Sequence, residues 1–347
     1  MTARGSAQRQ LQSLIALGRF REALALFCEL SDHPEQPLDR DHLLLVAQAA
    51  VRVGEFELAS RLAESAREGF EASGEVEGLL EATNLLGGLA FERGRIDQAE
   101  AQFADVLRRA GQCGRTLLVA RSANNLASIS HLRGRPDQAG PLYQKALLAF
   151  EELGDMRGVA ETAHNLAMAH RFAGALADAS SYCARSVAAA EQLGEHGLLS
   201  LALLGRSELL IEQEAFDEAS ADIDRAELLA WMGGNEPHRL EADRLRAVVS
   251  LRRGQAMCAY ERVEPVRVRA AELGCALIAA QAASVAALAL QATPEQARAR
   301  VARDWAVAAL KALGAVEILQ RFELDWQRAS ASASPELAAL DRSLEYD

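Results

Sequence analysis

The residues of this chain that could do acid–base or metal chemistry are few, and their spacing argues against it. His164 and His170 are six apart and so fall on different faces of a helix, away from the i, i+4 spacing of a helical metal pair. His131 and His164 could converge beside Glu161 if they belong to adjacent repeats, but the polar lining of a groove explains them without catalysis. Cys28, Cys113, Cys183, Cys258 and Cys275 are odd in number and lack a C-x-x-C pair, which suits a reducing cytoplasm better than a disulfide framework or a zinc site. Cys28 and Cys183 sit at helix-packing positions and are expected to be buried thiols. No P-loop, Rossmann glycine fingerprint or G-x-S-x-G elbow occurs. The chain is therefore expected to be no enzyme and to need no cofactor or metal.

The other chemistry on offer is amide and guanidinium hydrogen bonding. Asn84, Asn124, Asn125 and Asn165 stand in segments of helical periodicity, where asparagine is a poor helix former. Each amide offers donors and an acceptor, a set that can bind the peptide groups of an extended chain whatever its sequence. The alternative is that these amides face water or brace the next helix.

What must position these residues is a repeat. Glycine recurs every 40 residues at Gly74, Gly114, Gly154, Gly194, Gly234, Gly274 and Gly314. Alanine keeps the same period at Ala59, Ala99, Ala139, Ala179, Ala219, Ala259 and Ala299. A second glycine series occupies Gly54, Gly94, Gly134, Gly174 and Gly254, with Glu214 the exception. The first glycines follow helical segments, where a left-handed residue ends a helix without strain, and mark the turns between repeats. The second mark turns inside each repeat, with Pro136 placed to open the next helix. The alanines sit on the second helix, where a small side chain lets the facing helix come close.

Turn glycine, a bulky residue two later (Phe20, Phe56, Ile96, Leu176, Phe216), then alanine resembles the tetratricopeptide pattern. Further alanines at 66, 146, 226 and 306, and Phe27, Phe103 and Tyr143, agree with it. The usual repeat is about 34 residues, so the 40-residue period implies longer helices, as in the repeats of kinesin light chains, Pins-type adaptors and bacterial peptide-pheromone receptors. The resemblance implies an all-α, right-handed α-solenoid of about eight helix-turn-helix repeats over 1–314, with terminal repeats degenerate. A capping helix is expected at 315–328, carrying Ile318, Phe322 and Trp326, then a flexible linker and short acidic amphipathic tail over 329–347. Docking of that tail into the groove is a further expectation.

Function in such an array belongs to the concave surface lined by the first helix of each repeat. The register places there Asn84, then Arg121, Asn124, Asn125, Ser128 and His131, then Glu161, His164, Asn165, Met168 and Arg171. In the next repeat the asparagine positions become Leu204 and Gly205. Residues 237–270 carry eight Arg against four acidic residues. Arg239, Arg244, Arg246, Arg252 and Arg253 could receive an acidic ligand, or could simply form a solvated face.

Composition supports the same picture. Half of the 347 residues are hydrophobic but only 5% are aromatic, so the core must be Ala and Leu packed at close range. A formal charge of −12 disfavours nucleic acid and anionic lipid. The apolar stretch 275–292 is mostly Ala, interrupted by Gln281 and Ser284, and reads as a buried helix with neither export nor membrane insertion. The expected partner is another protein or a peptide, bound by a cytoplasmic adaptor. The other expectation is a bacterial regulatory sensor that changes shape on binding a signalling peptide or small ligand. Oligomeric state is left open.

Overall fold

The computed structural model describes residues 3–31 and 38–344, with side chains described from 7 to 30 and from 38 to 331. Among the described residues the chain is all-α: eight helix pairs and a last long helix. The pairs begin with α1 (Ala3–Ala16) and α2 (Phe20–Ser31), α3 (Arg40–Arg52) and α4 (Phe56–Ser73), α5 (Val76–Glu92) and α6 (Ile96–Gln112). They continue with α7 (Thr116–Leu132) and α8 (Pro136–Leu153), α9 (Met156–Phe172) and α10 (Leu176–Leu193), α11 (His196–Glu212) and α12 (Phe216–Gly233). The last are α13 (Glu236–Arg252) and α14 (Ala256–Leu273), α15 (Ala276–Gln291) and α16 (Gln296–Ala312), followed by α17 (Val316–Leu344). No described helix is long and apolar enough to cross a membrane.

The periodic residues do the mechanical work their spacing implies. All seven glycines from Gly74 to Gly314 have φ between +62° and +75°. Gly154 shows how they act: its N–H donates to Glu151 O and that of Asp155 to Phe150 O, satisfying carbonyls that α8 leaves open. Within pairs, Glu214 holds the glycine geometry at φ +60°, among the described residues the only non-glycine to do so. The alanines at 59, 99, 179, 219, 259 and 299 are completely buried and Ala139 nearly so.

Each core layer is made by three consecutive helices. Leu44, Phe70 and Ala82 join α3, α4 and α5, and Leu80, Val106 and Leu118 join α5, α6 and α7. Ala167, Cys183 and Leu209 repeat the arrangement in α9, α10 and α11. A Cβ on Gly158 would stand 2.2 Å from the Phe150 ring, so glycine there is what lets α8 and α9 approach.

The helices gather into two compact units. The first comprises the described residues up to His131 together with Arg135–Ala242, and the second comprises Leu132–Gly134 with Asp243 onward. Within the second, Phe322 of α17 is buried, and the Arg303 guanidinium of α16 pairs with Glu323 at 2.7 Å while lying over the Trp326 ring. The helix runs on through 329–335, the stretch whose composition suggested a linker. The side chains of the acidic tail, and with them the expectation of tail docking, lie outside the described residues.

Candidate functional site

The polar residues picked out by register come together on the first helices of the pairs in the first unit. Nδ2 of Asn125 on α7 donates to Oδ1 of Asn84 on α5 at 3.5 Å, and Nδ2 of Asn165 on α9 donates to Oδ1 of Asn124 at 3.1 Å. The four amides thus form a row across three repeats, with Asn124 buried and the others half-buried. They brace neighbouring helices, as the second sequence reading allowed, and each amide retains further donor or acceptor capacity.

These bonds join residues 41 apart, one more than the sequence period, because neighbouring first helices are slightly offset. The same offset brings Arg171 on α9 to Glu212 on α11, while its other Nη reaches Glu208 at 2.6 Å. Arg171 is only 8% exposed, and its guanidinium also lies over the Phe172 ring. At the next such step Gly205 faces His164: a Cβ there would stand 2.4 Å from the imidazole. The asparagine row ends at this point because the imidazole takes the room that a side chain on α11 would need.

Ser128 also bonds to the second helix of its pair. It donates to Asn124 O and accepts from the Tyr143 hydroxyl, both at 3.1 Å, so the hydroxyl is engaged with α8. Met168 and Arg121 are half-buried, and Arg121 acts electrostatically on Glu81, whose carboxyl is pushed upward by burial. His131 packs edge-on against Phe172, with ring centroids 5.3 Å apart. Burial lowers His131, and the neighbouring Arg171 lowers it further, to about 4. His164 is likewise held at about 4 by burial, with Glu208 and Glu161 opposing and Arg171 reinforcing the shift.

The first unit also closes on itself. An Arg21 Nη of α2 donates to Gly234 O at 3.1 Å, and a Cβ on Gly54 would meet the Pro237 ring at 3.0 Å. Across the interior, Nη1 of Arg52 on α3 lies 3.8 Å from Oε1 of Glu161 on α9, and Nη1 of Arg157 lies 3.1 Å from the same oxygen. Arg157 also pairs with Glu195. His238 on α13 stands in the electrostatic reach of His164 and Arg52. The sequence reading missed Arg52, Arg157, Glu208, Glu212 and His238. Opposite charges 37 and 41 residues apart could have revealed Glu208 and Glu212, whereas nothing in the sequence brings Arg52 or His238 to Glu161.

The arginines of α13 and of the turn after it differ in burial. Arg244 is buried at 6% exposure and Arg246 pairs with Asp243 at 3.3 Å, while Arg239, Arg252 and Arg253 are exposed. Cys183 is buried and pushed up to about 11, chiefly by that burial, whereas Cys28 is exposed, a correction to its expected packing role. Among the described residues, no group of three or more His, Cys, Asp or Glu side chains is arranged to hold a metal ion.

Residues 118–192, which carry most of the asparagine row, match the tetratricopeptide repeat family model. A comparison with curated proteins finds no match. Among solved structures, a Rap protein complexed with Competence and Sporulation Factor is similar, with 14% identity and TM-score 0.62 over 98% of each chain. The Rap conjugation gene regulator of a plasmid, in complex with the Phr* peptide, shows 13% identity and TM-score 0.63 over 89% of this chain and 97% of that one. NprR in complex with its cognate peptide NprX shows 11% identity and TM-score 0.58 over 96% of this chain and all of that one, 100%. The fold is that of the tetratricopeptide solenoids, matched in sequence at 118–192 and carried by the helix pairs on either side.

Proposed function

We infer that the chain is a non-enzymatic binding protein that takes up an extended peptide along the row Asn84, Asn125, Asn124 and Asn165. The observation that carries this reading is the row itself: four amides on the first helices of three successive repeats, linked in two pairs. An extended peptide presents N–H and C=O groups alternately, and side-chain amides satisfy both without demanding a sequence. The solved structures of similar fold include three in complex with a peptide or factor, which makes a peptide the first ligand to try. Arg121, His131, Glu161, His164, Met168 and Arg171 then flank the row and select side chains.

The experiment is a capture from the source cytoplasm with the wild-type chain and with a variant carrying Asn84→Ala, Asn124→Ala, Asn125→Ala and Asn165→Ala, its helicity checked by circular dichroism. A peptide or protein retained by the wild type and lost by the variant is expected. Equal retention by both removes the row as the binding site.

A second reading, a regulatory sensor, draws on the closure between Arg21 and Gly234 and between Gly54 and Pro237. A ligand entering such a closed turn has to change those contacts, which would convert occupancy into a change of shape.

A further inference from the structure

Two second helices carry apolar patches on their exposed faces, away from the asparagine row. On α12, Leu228, Trp231 and Met232 stand at i, i+3 and i+4, so they share one face, and all three are exposed, Trp231 at 67%. On α16, Val301 and Trp305 stand one turn apart and are also exposed, Val301 at 72%. Single exposed apolar side chains are ordinary, but Trp and Met gathered on one helical face have the composition of a protein contact. The Arg267 guanidinium lies over the Trp305 ring at 5.3 Å and holds the indole in place, so that anchor is ordered before any partner arrives.

The charges around the two patches are opposite. α12 carries five acidic residues against Arg225, and α16 carries Arg298, Arg300, Arg303 and Lys311 against Asp304. Among the described second helices, α12 is the most acidic and α16 alone has a net positive charge. Pairing inside the chain sharpens the contrast. Arg225 is taken by Glu191 at 2.9 Å, whereas Arg300 and Lys311 are exposed and, among the described residues, have no carboxylate partner. Helical spacing puts Arg300 and Lys311 on the same flank of Val301. The net charge of −12 opposes any approach of two copies. At physiological ionic strength it is screened beyond about 8 Å, so the charges at the contact decide.

We propose that the α12 face of one copy docks on the α16 face of a second copy of this chain. Leu228, Trp231 and Met232 pack against Val301 and Trp305, and the acidic residues of α12 face Arg300 and Lys311. The two faces are different surfaces, so the contact is head-to-tail. Every dimer keeps one unused face of each kind, and a third copy can add. The contact uses second helices only and stands independently of peptide binding on the first helices.

The test is sedimentation equilibrium of the full chain from about 1 to about 100 µM, the range suited to a contact between two helical faces. The weight-average mass of the wild type is expected to rise with concentration past that of a dimer. Trp231→Ser and Val301→Asp should each weaken association at least about tenfold. Both side chains are exposed, and circular dichroism checks that both variants keep the fold. An equimolar mixture of the two variants is decisive, because each keeps the face that the other has lost. The mixture is expected to form a one-to-one dimer and to stop there. A wild type that stays monomeric through the range overturns the proposal, as does either variant associating like the wild type. A mixture that stays monomeric, or a wild type that stops at a dimer, overturns the head-to-tail contact.

Discussion

The side-chain amide of Asn165 donates to Oδ1 of Asn124 across 3.1 Å, which makes one residue of the asparagine row the positioning partner of the next. Removing either amide is therefore expected to cost stability. In a double-mutant cycle on Asn124→Ala and Asn165→Ala, read by urea unfolding, the coupling is expected to be about 1 kcal/mol. A coupling near zero would mean that the pair is not formed in solution, and the row would then consist of independent amides.

Glu214 occupies the left-handed conformation that glycine fills at the equivalent positions in other pairs. A side chain there costs about 1–2 kcal/mol, and glycine regains most of this less its own chain entropy. Glu214→Gly is expected to stabilise the first unit by about 0.5–1 kcal/mol. The check is a rise in the urea midpoint at unchanged slope, and a fall would show that the Glu214 side chain makes a compensating interaction.

Two helical glycines should respond in opposite directions to the same substitution. A methyl on Gly158 meets the Phe150 ring at 2.2 Å, so Gly158→Ala should cost about 1–3 kcal/mol by forcing α8 and α9 apart. Gly88 on α5 has nothing within 4 Å of an added Cβ, so Gly88→Ala should stabilise by about 0.5–1 kcal/mol through helix propensity alone. Thermal unfolding of the two variants side by side separates close packing from propensity.

Acid should weaken the fold before it reaches the carboxylates. His131, His164 and His238 are each held at about 4 against an ordinary value of 6.5, chiefly by burial. Their folded values lie below the unfolded value, so the unfolded chain binds more protons between about 4 and 6.5 and stability falls as pH drops through that window. Glu92, pushed up to about 7 by burial, opposes them in its own window from about 4.5 to 7, where the folded carboxyl keeps a proton the unfolded one has lost. With three imidazoles against it, unfolding free energy should fall between pH 6.5 and pH 5. His238→Gln should flatten the slope by up to about 1.4 kcal/mol per pH unit. A slope unchanged in that variant would mean that His238 titrates alike in the folded and the unfolded chain.

Much of the architecture was legible in the residue pattern because helix ends and close helix contacts are local matters. A glycine at the end of α8 or a buried alanine on α6 answers to its neighbours a few residues away, and a 40-residue period only repeats that local answer. The asparagine row was legible for the same reason, since register along a helix fixes which residues share a face. Cys28 was misread, since it is exposed on α2 where packing was expected. Register also does not say which atom a side chain finds: Ser128 meets the Tyr143 hydroxyl.

What only tertiary structure decided is the closure of the first unit. Each repeat is rotated slightly against the last, and no single sequence position records the sum of those rotations. The sum sets Arg52 against Glu161 across three repeats and brings α13, with His238, to the same place. Local propensity therefore made the helices and their register, while the accumulated geometry of packing set Arg52 against Glu161.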